Sequence, residues 1–159
     1  MIATTILLFG INKIYICKEK KKQILYLKEM FKVLKDLIGN NGTVLKEAFD
    51  IICSRENLKD FQTAQILRKK LSENFSFEKS IMELVKIQNE FDENIKEILV
   101  TVAPLVGTSE IKTQIDSIDY AINNLEKLYE IYSNKIKEEI PLIKVLTLCG
   151  FFGTIIILI

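Results

Sequence analysis

Carboxylates and cysteines are the side chains in this sequence whose chemistry could support catalysis or metal binding. Paired carboxylates can act as general acid and base or hold a hard cation, and a thiolate is a nucleophile and a soft-metal ligand. The chain has 21 Asp and Glu residues and three Cys, but no His. The lack of His excludes Ser-His and Cys-His nucleophilic catalysis, His general-base chemistry and every His-containing metal site.

The acidic side chains lie in pairs on exposed faces or in first turns of predicted helices, where they favour solvation and capping. The pairs are Asp92 and Glu93, Asp116 and Asp119, and Glu138 and Glu139. Asp116 and Asp119 share one helix face and could hold a hard cation, but two ligands fall short of the roughly six to eight oxygens that calcium takes. We therefore predict no catalytic residue and no metal.

The cysteines and the glycine-containing segments form no reactive motif. The three cysteines are widely spaced and include no CxxC pair, which excludes a disulfide framework and a zinc site. Cys53 follows two isoleucines and is predicted to be a small core residue. GNNG at 39–42 and GFFG at 150–153 lack the strand, Lys and Ser of a phosphate-binding loop. We therefore predict no cofactor, no ATP hydrolysis by this chain, no small-molecule substrate and no enzymatic activity.

The charge balance argues against a general nucleic-acid-binding protein. There are 22 Lys and Arg residues against 21 Asp and Glu, which gives a net charge of +1. A general nucleic-acid binder would normally show a basic excess or a basic stripe. We therefore predict no nucleic-acid partner.

The apolar residues are concentrated at the two ends of the chain. Segments 1–17 and 142–159 each contain one lysine and no acid. As helices they would be about 25 and 27 Å long, close to the hydrocarbon thickness of a bilayer. We predict a transmembrane helix in each segment. A cleaved signal peptide is the alternative for the first, which lacks a basic leading region and a cleavage site, and a buried core helix is the alternative for the second.

Lysines flank both apolar segments on their inner sides. Lys18 and the run 20–22 follow the first segment, and Lys135 and Lys137 precede the second. The positive-inside rule then predicts that residues 18–141 are cytoplasmic and that both termini face outward. A patch for nucleic acid or anionic lipid is the alternative explanation of the lysine run.

Residues 18–141 predict an all-α fold, because apolar residues recur every three or four positions and Gly, Pro and Asn separate the runs. We expect a cytoplasmic bundle of about five or six helices between the two transmembrane helices. The longest stripe runs from Ile111 to Ile140, with an interruption at Pro141, and a coiled-coil or partner-binding face is the alternative to bundle core. The predicted N-caps are Thr43, Asn57, Ser76, Asp92 and Ser109, and Pro104 is expected to end the fifth helix.

Two short internal patterns and the tail carry a resemblance. After the turn at 39–42, Leu45, Glu47 and Ala48 match a Pro-Leu-x-Glu-Ala segment in which Val44 replaces the Pro and Asn40-Asn41 replaces a Tyr-Gly. The second pattern is Leu-Gly-x-Ser-Asp-x-x-x-Gln, and the third is a Leu- and Gly-containing tail. The second pattern is represented in this chain by Gly107, Ser109, Glu110 and Gln114, and the third by Leu142, Leu146 and Gly150. With its two apolar ends, the chain resembles stage III sporulation protein AB.

The resemblance implies a non-enzymatic membrane platform of the channel-like complex that is assembled during endospore formation. Its location would be the mother-cell membrane around the forespore, with most of the chain cytoplasmic. The bundle would be similar to the F-type platform domain of type II secretion and type IV pilus machines. The implied partners are a cytoplasmic hexameric ATPase, the other membrane subunits and the lipid bilayer. A stand-alone, membrane-tethered adaptor with an unrelated partner is the alternative.

The surface around the turn at 39–42 is the candidate binding site, because exposed turns often carry contacts. Its residues are Asn40, Asn41, Lys46 and Glu47. The alternative is that these residues only form a well-capped helix junction. The second pattern, from Gly107 to Gln114, is predicted to be another helix junction, with Ser109 as N-cap and Glu110 in the first turn.

Overall fold

The computed structural model describes the backbone of residues 2–88 and 91–158. Side chains are described over the same ranges except at 2–4, 6, 7, 9, 10, 139, 140, 142, 151 and 154–158. The six helices are α1 (Ile2–Asn41), α2 (Leu45–Ser54), α3 (Gln62–Ser72), α4 (Phe77–Ile87), α5 (Glu93–Val102) and α6 (Ile111–Leu158). These ranges contain no strand, which confirms the predicted all-α class.

The chain divides into two compact units. The terminal unit comprises residues 1–23 and 129–159, and the central unit comprises residues 24–128. The central unit therefore contains the later part of α1, all of α2 to α5 and the beginning of α6.

In the central unit, α1 and α6 bury apolar stripes with the predicted three- and four-residue steps. Such spacing places the side chains on one helix face, so that burying them removes apolar surface from water. The stripe of α1 is Ile24, Leu27, Met30, Phe31, Leu34, Leu37 and Ile38, and that of α6 is Ile118, Ala121, Leu125 and Leu128.

Two ion pairs set the direction and register of these two helices. Lys28 pairs with Glu126, and Lys35 Nζ lies 2.7 Å from Asp119 Oδ1. From the first pair to the second, the position advances by seven residues along α1 and goes back by seven residues along α6, so the helices run antiparallel. Lys28 is itself largely buried, and its aliphatic stem packs with the core while the ammonium reaches the carboxylate.

Helices α2 to α5 complete the central core as a chain of neighbours. α2 packs against α3, α3 against α4, and α4 against α5. Each contributes the apolar face that its periodicity predicts; the fully buried large side chains are Phe49, Ile52, Leu67, Ile81, Leu84 and Ile95. The rings of Phe49 and Phe77 meet at a centroid distance of 6.1 Å and a tilt of 40°, a favourable arrangement for an aromatic pair.

Several helix boundaries follow the predicted chemistry. Ser76 is the N-cap of α4 and its hydroxyl accepts from the Lys79 N–H at 3.3 Å. Asp92 caps α5 by accepting from the Asn94 N–H at 3.1 Å. α5 ends at Val102, shortly before Pro104, as expected.

Two predicted N-caps are wrong. Thr43 does not cap α2, because its N–H bonds to the carbonyl of Leu37 at the end of α1 and Val44 takes the N-cap position. Asn57 does not cap α3, because the preceding segment forms tight turns that bury Leu58, and the helix begins only at Gln62.

Two apolar residues that continue the three- or four-residue spacing of their helices are exposed. Ile87 is 61% exposed and Ile111 is 52% exposed. Ile87 is the last residue of α4 and Ile111 the first of α6. The periodicity continues beyond the core at these helix ends, so that it overestimates burial there.

In the terminal unit, α1 and α6 meet through lysines and aromatic rings. Lys21 donates to Ser133 Oγ at 3.2 Å, and its Nζ lies 4.9 Å from the centroid of the Tyr129 ring. Lys20 Nζ lies 6.0 Å from the centroid of Tyr132. These cation–π contacts are favourable for an ammonium near an aromatic face.

Both helices of the terminal unit expose large apolar side chains. In α1 these are Leu8, Ile11, Tyr15 and Ile16, and in α6 they are Ile131, Val145, Leu146, Leu148 and Phe152. α6 includes Pro141 and continues beyond it to Leu158.

Within the residues that the structure describes, no helix combines the length and apolarity needed to cross a bilayer. The segments 1–17 and 142–159, predicted to do so, lie partly outside the described residues: Met1 and Ile159 entirely, and several of their neighbours by their side chains.

Candidate functional site at the junction of two separated segments

The turn after α1 is closed by a glycine in the left-handed region. Gly42 has φ +59°, and its N–H bonds to the carbonyl of Ile38 at 3.2 Å. This is the αL type of C-cap, in which a residue without a Cβ satisfies a carbonyl at the end of the helix. It allows α2 to begin at Leu45.

The second segment, between α5 and α6, also turns at a glycine. Gly107 has φ +88°. Before it, the Val106 N–H bonds to the Val102 carbonyl at 3.3 Å, and after it the Thr108 hydroxyl donates to the Pro104 carbonyl at 2.5 Å. The chain therefore leaves α5 in a further tight turn that includes Gly107.

Gln114 closes this turn from the first part of α6. Its Oε1 accepts from the Gly107 N–H at 3.0 Å, and its Nε2 donates to the Ser109 carbonyl at 2.7 Å. One amide side chain thus binds a backbone donor of the loop through its oxygen and a backbone acceptor through its nitrogen. This contact explains the spacing from glycine to glutamine in the second sequence pattern.

The role predicted for Ser109 is wrong. α6 begins at Ile111, so that Ser109 and Glu110 both precede it, and Glu110 contributes its carbonyl to the Gln114 N–H at 3.0 Å. Ser109 acts through its own carbonyl, which the Gln114 side chain binds. The loop is held by a glutamine inside the helix and not by a serine before it.

The two segments meet in space. A Cβ on Gly107 would overlap Leu45 Cδ1, and a Cβ on Gly39 would lie 3.1 Å from Ile115 Cδ1. At Gly107 the backbone conformation favours glycine, and an added Cβ would also force the end of the Leu45 side chain to move. The turn after α1 and the loop before α6 therefore form one junction, although more than sixty residues separate them.

A cavity of about 200 Å³ lies at this junction. It is lined by Ile38, Gly42, Thr43, Val44, Leu45, Gly107, Ile111 and Gln114. Its volume is below the roughly 300–1,000 Å³ of small-molecule sites, so it suits a single side chain better than a cofactor. Val44 is 71% exposed beside it, and with Ile111 it gives the cavity an apolar rim.

The four residues predicted to bind a partner lie next to this cavity in the chain. Asn40 and Asn41 are exposed in the last turn of α1, and Lys46 and Glu47 are exposed in the first turn of α2. Glu47 is favourably placed near the positive end of the α2 dipole. Sequence reasoning missed Val44, whose signal was the apolar β-branched side chain between a polar turn and a helix.

The other side chains considered for chemistry have structural partners. Asp119 is bound by Lys35, and Asp92 caps α5. Cys53 is buried as predicted, and burial raises the pKa of its thiol. A raised thiol pKa leaves less of the reactive thiolate at neutral pH.

We expect the substitution Gln114→Ala to destabilise the central unit by about 1 kcal/mol, because it removes both hydrogen bonds to the loop backbone. Gln114→Glu keeps an acceptor for the Gly107 N–H but sets a second acceptor oxygen against the Ser109 carbonyl, so its effect should be at least as large. Chemical denaturation followed by circular dichroism measures both, with Thr113→Ala as an exposed control on the same turn. Equal stability of Gln114→Ala and the control would show that Gln114 does not hold the loop.

Comparison with known proteins places the chain in a family. Searches of curated proteins and of solved structures gave no match. The profile of the family described as stage III sporulation protein AB (spore_III_AB) matches residues 1–159, which is the whole chain. The resemblance carried by the turn at 39–48, the loop at 106–114 and the tail is thus confirmed, and the chain belongs to the stage III sporulation protein AB family.

Proposed function

We propose that this chain is a non-enzymatic, membrane-anchored platform that positions a cytoplasmic ATPase. The complex would be the channel-like assembly of endospore formation, in the mother-cell membrane that surrounds the forespore. The partners would be the hexameric ATPase of that complex and its other membrane subunits. Membership of the sporulation family supports the setting.

The observation that carries the proposal is the meeting of the two resembling segments at one surface. The segments 39–48 and 106–114 lie far apart in the sequence but enclose a single small cavity. Exposed polar side chains and an exposed valine surround it. Binding surfaces between proteins commonly combine an apolar centre, into which a side chain can insert, with a polar rim.

The chemistry of the junction favours binding over catalysis. Its cavity is lined by aliphatic side chains, backbone, the Thr43 hydroxyl and the Gln114 amide, and Gln114 is already bound to the loop backbone. The lining includes no general base that could activate the Thr43 hydroxyl as a nucleophile. A platform contributes affinity and geometry, for which an exposed and rigidly held surface is sufficient.

The exposed apolar residues of the terminal unit support the proposed membrane anchoring. Large apolar patches on a protein surface mark sites covered by lipid or by other proteins. We assign the coverage to lipid, with residues 1–17 and 142–159 as the spans. By the positive-inside rule, the lysines at 18, 20–22, 135 and 137 support a cytoplasmic location of the central unit.

We expect the double variant Lys46→Glu, Glu47→Lys to weaken binding of the full-length chain to the purified ATPase by roughly three-fold or more, because charges at the rim of an interface govern its electrostatic complementarity. The variant keeps the net charge and one acid in the first turn of α2. Its stability should therefore stay within about 0.5 kcal/mol of the parent. A binding titration in detergent and a thermal melt measure the two effects.

The matched control is Glu78→Lys, Lys79→Glu, which makes the same exchange in the first turn of α4. It should leave binding unchanged. Equal binding by the parent and both variants would remove the junction as the ATPase site. A large loss of stability in the α2 variant would show that Lys46 and Glu47 are structural residues.

The membrane orientation predicts labelling of a single cysteine. Asn57 lies exposed in the turn between α2 and α3, and Asn57→Cys in a chain with its three native cysteines replaced by alanine should react with a membrane-impermeant maleimide only after the cells are opened. A cysteine added before Met1 should react in intact cells. Labelling of position 57 in intact cells would contradict the orientation.

A further inference from the structure

We propose that the terminal unit binds anionic phospholipid headgroups through a lysine belt, defined as Lys18, Lys20, Lys21, Lys22, Lys135 and Lys137. The inference rests on the proposed membrane anchoring and adds the class of lipid to it. The lysine run was explained above as a signal for orientation. The geometry of the terminal unit points to a binding surface in addition.

The first observation is that the contacts between α1 and α6 place the lysines of the belt at the same position along the two neighbouring helices. Lys21 donates to Ser133, and the rings of Tyr129 and Tyr132 lie beside Lys21 and Lys20. Residues 18–22 of α1 are thus level with the part of α6 that contains Lys135 and Lys137. Four lysines from one helix and two from the other form a single cationic zone.

The second observation is the position of this zone relative to the exposed apolar side chains. On α1 the apolar residues from Leu8 to Ile16 precede the belt, and on α6 those from Val145 to Phe152 follow it. The contact of Lys21 with Ser133 continues the seven-residue steps of Lys35–Asp119 and Lys28–Glu126, so α1 and α6 are antiparallel as far as the belt, and both apolar stretches follow on the same side of it. That arrangement places ammonium groups where the headgroups meet the hydrocarbon, and long lysine side chains can extend to that level.

The third observation is the separation of charge between the two units. The terminal unit has eight lysines and four glutamates, a net charge of +4, whereas the central unit has 14 basic and 17 acidic residues, a net charge of −3. An anionic membrane surface attracts the first and repels the second. A free anion would be drawn to the lysines as well, but only a lipid also covers the adjoining apolar side chains, so we assign the site to anionic lipid.

The test uses the full-length chain in phosphatidylcholine vesicles, with a donor fluorophore on Cys17 and with Cys53→Ala and Cys149→Ala. Acceptor-labelled phosphatidylglycerol or phosphatidylcholine is added at the same mole fraction, and energy transfer reports which lipid gathers next to the belt. We expect roughly five-fold enrichment of the anionic lipid, the effect of about one lysine near an anionic surface, since acids offset part of the charge. Raised salt should lower the enrichment.

The variant Lys18→Gln, Lys22→Gln, Lys135→Gln should reduce transfer to phosphatidylglycerol towards the phosphatidylcholine level. The control Lys79→Gln, Lys86→Gln, Lys112→Gln removes the same charge from exposed positions of the central unit and should retain the enrichment. Flotation of the vesicles in alkaline carbonate shows separately whether the chain is inserted. Equal transfer to both lipids by an inserted chain would overturn the lysine belt, whereas a chain that does not float with the vesicles would overturn the proposed anchoring itself.

Discussion

The antiparallel register of α1 and α6 in the central unit is the constraint on which the junction depends. The ion pairs Lys28–Glu126 and Lys35–Asp119 are consistent with one register between the two helices, and the close approach of Gly39 to Ile115 extends that register to the end of α1. The Lys35–Asp119 pair is partly exposed and such pairs contribute little to stability, so most of the free energy comes from the buried apolar stripes of the two helices. The register then brings the end of α1 to the beginning of α6.

The helices between α1 and α6 supply the other residues of the junction. α2 begins directly after the turn at Gly42, and the loop that ends α5 returns the chain to Gly107 against Leu45. A one-residue shift of α6 would move Gln114 away from the backbone groups of Gly107 and Ser109 that it binds. The cavity, its apolar rim and the exposed side chains of α2 therefore depend together on the packing of the long helices.

Periodicity predicted the buried stripes, because the three- and four-residue spacing depends only on local helix geometry, and the folded protein keeps that geometry. Local capping chemistry likewise predicted Ser76 and Asp92. It failed at Thr43, whose N–H is bound by the end of α1, and at Ser109, whose carbonyl is bound by the Gln114 side chain of α6. The two site segments could each be found in the sequence, but their meeting could not, since it depends on a register set by contacts between distant residues.

The central claim is that the two segments of the junction act as one binding surface for the ATPase. Hydrogen–deuterium exchange on the full-length chain, in detergent with and without the purified ATPase, tests it most directly, since it measures backbone protection along the whole chain. The account predicts that residues 39–47 and 105–114 gain protection together while α3 and α4 do not change. Protection of only one segment, or protection confined to α3 and α4, would contradict it.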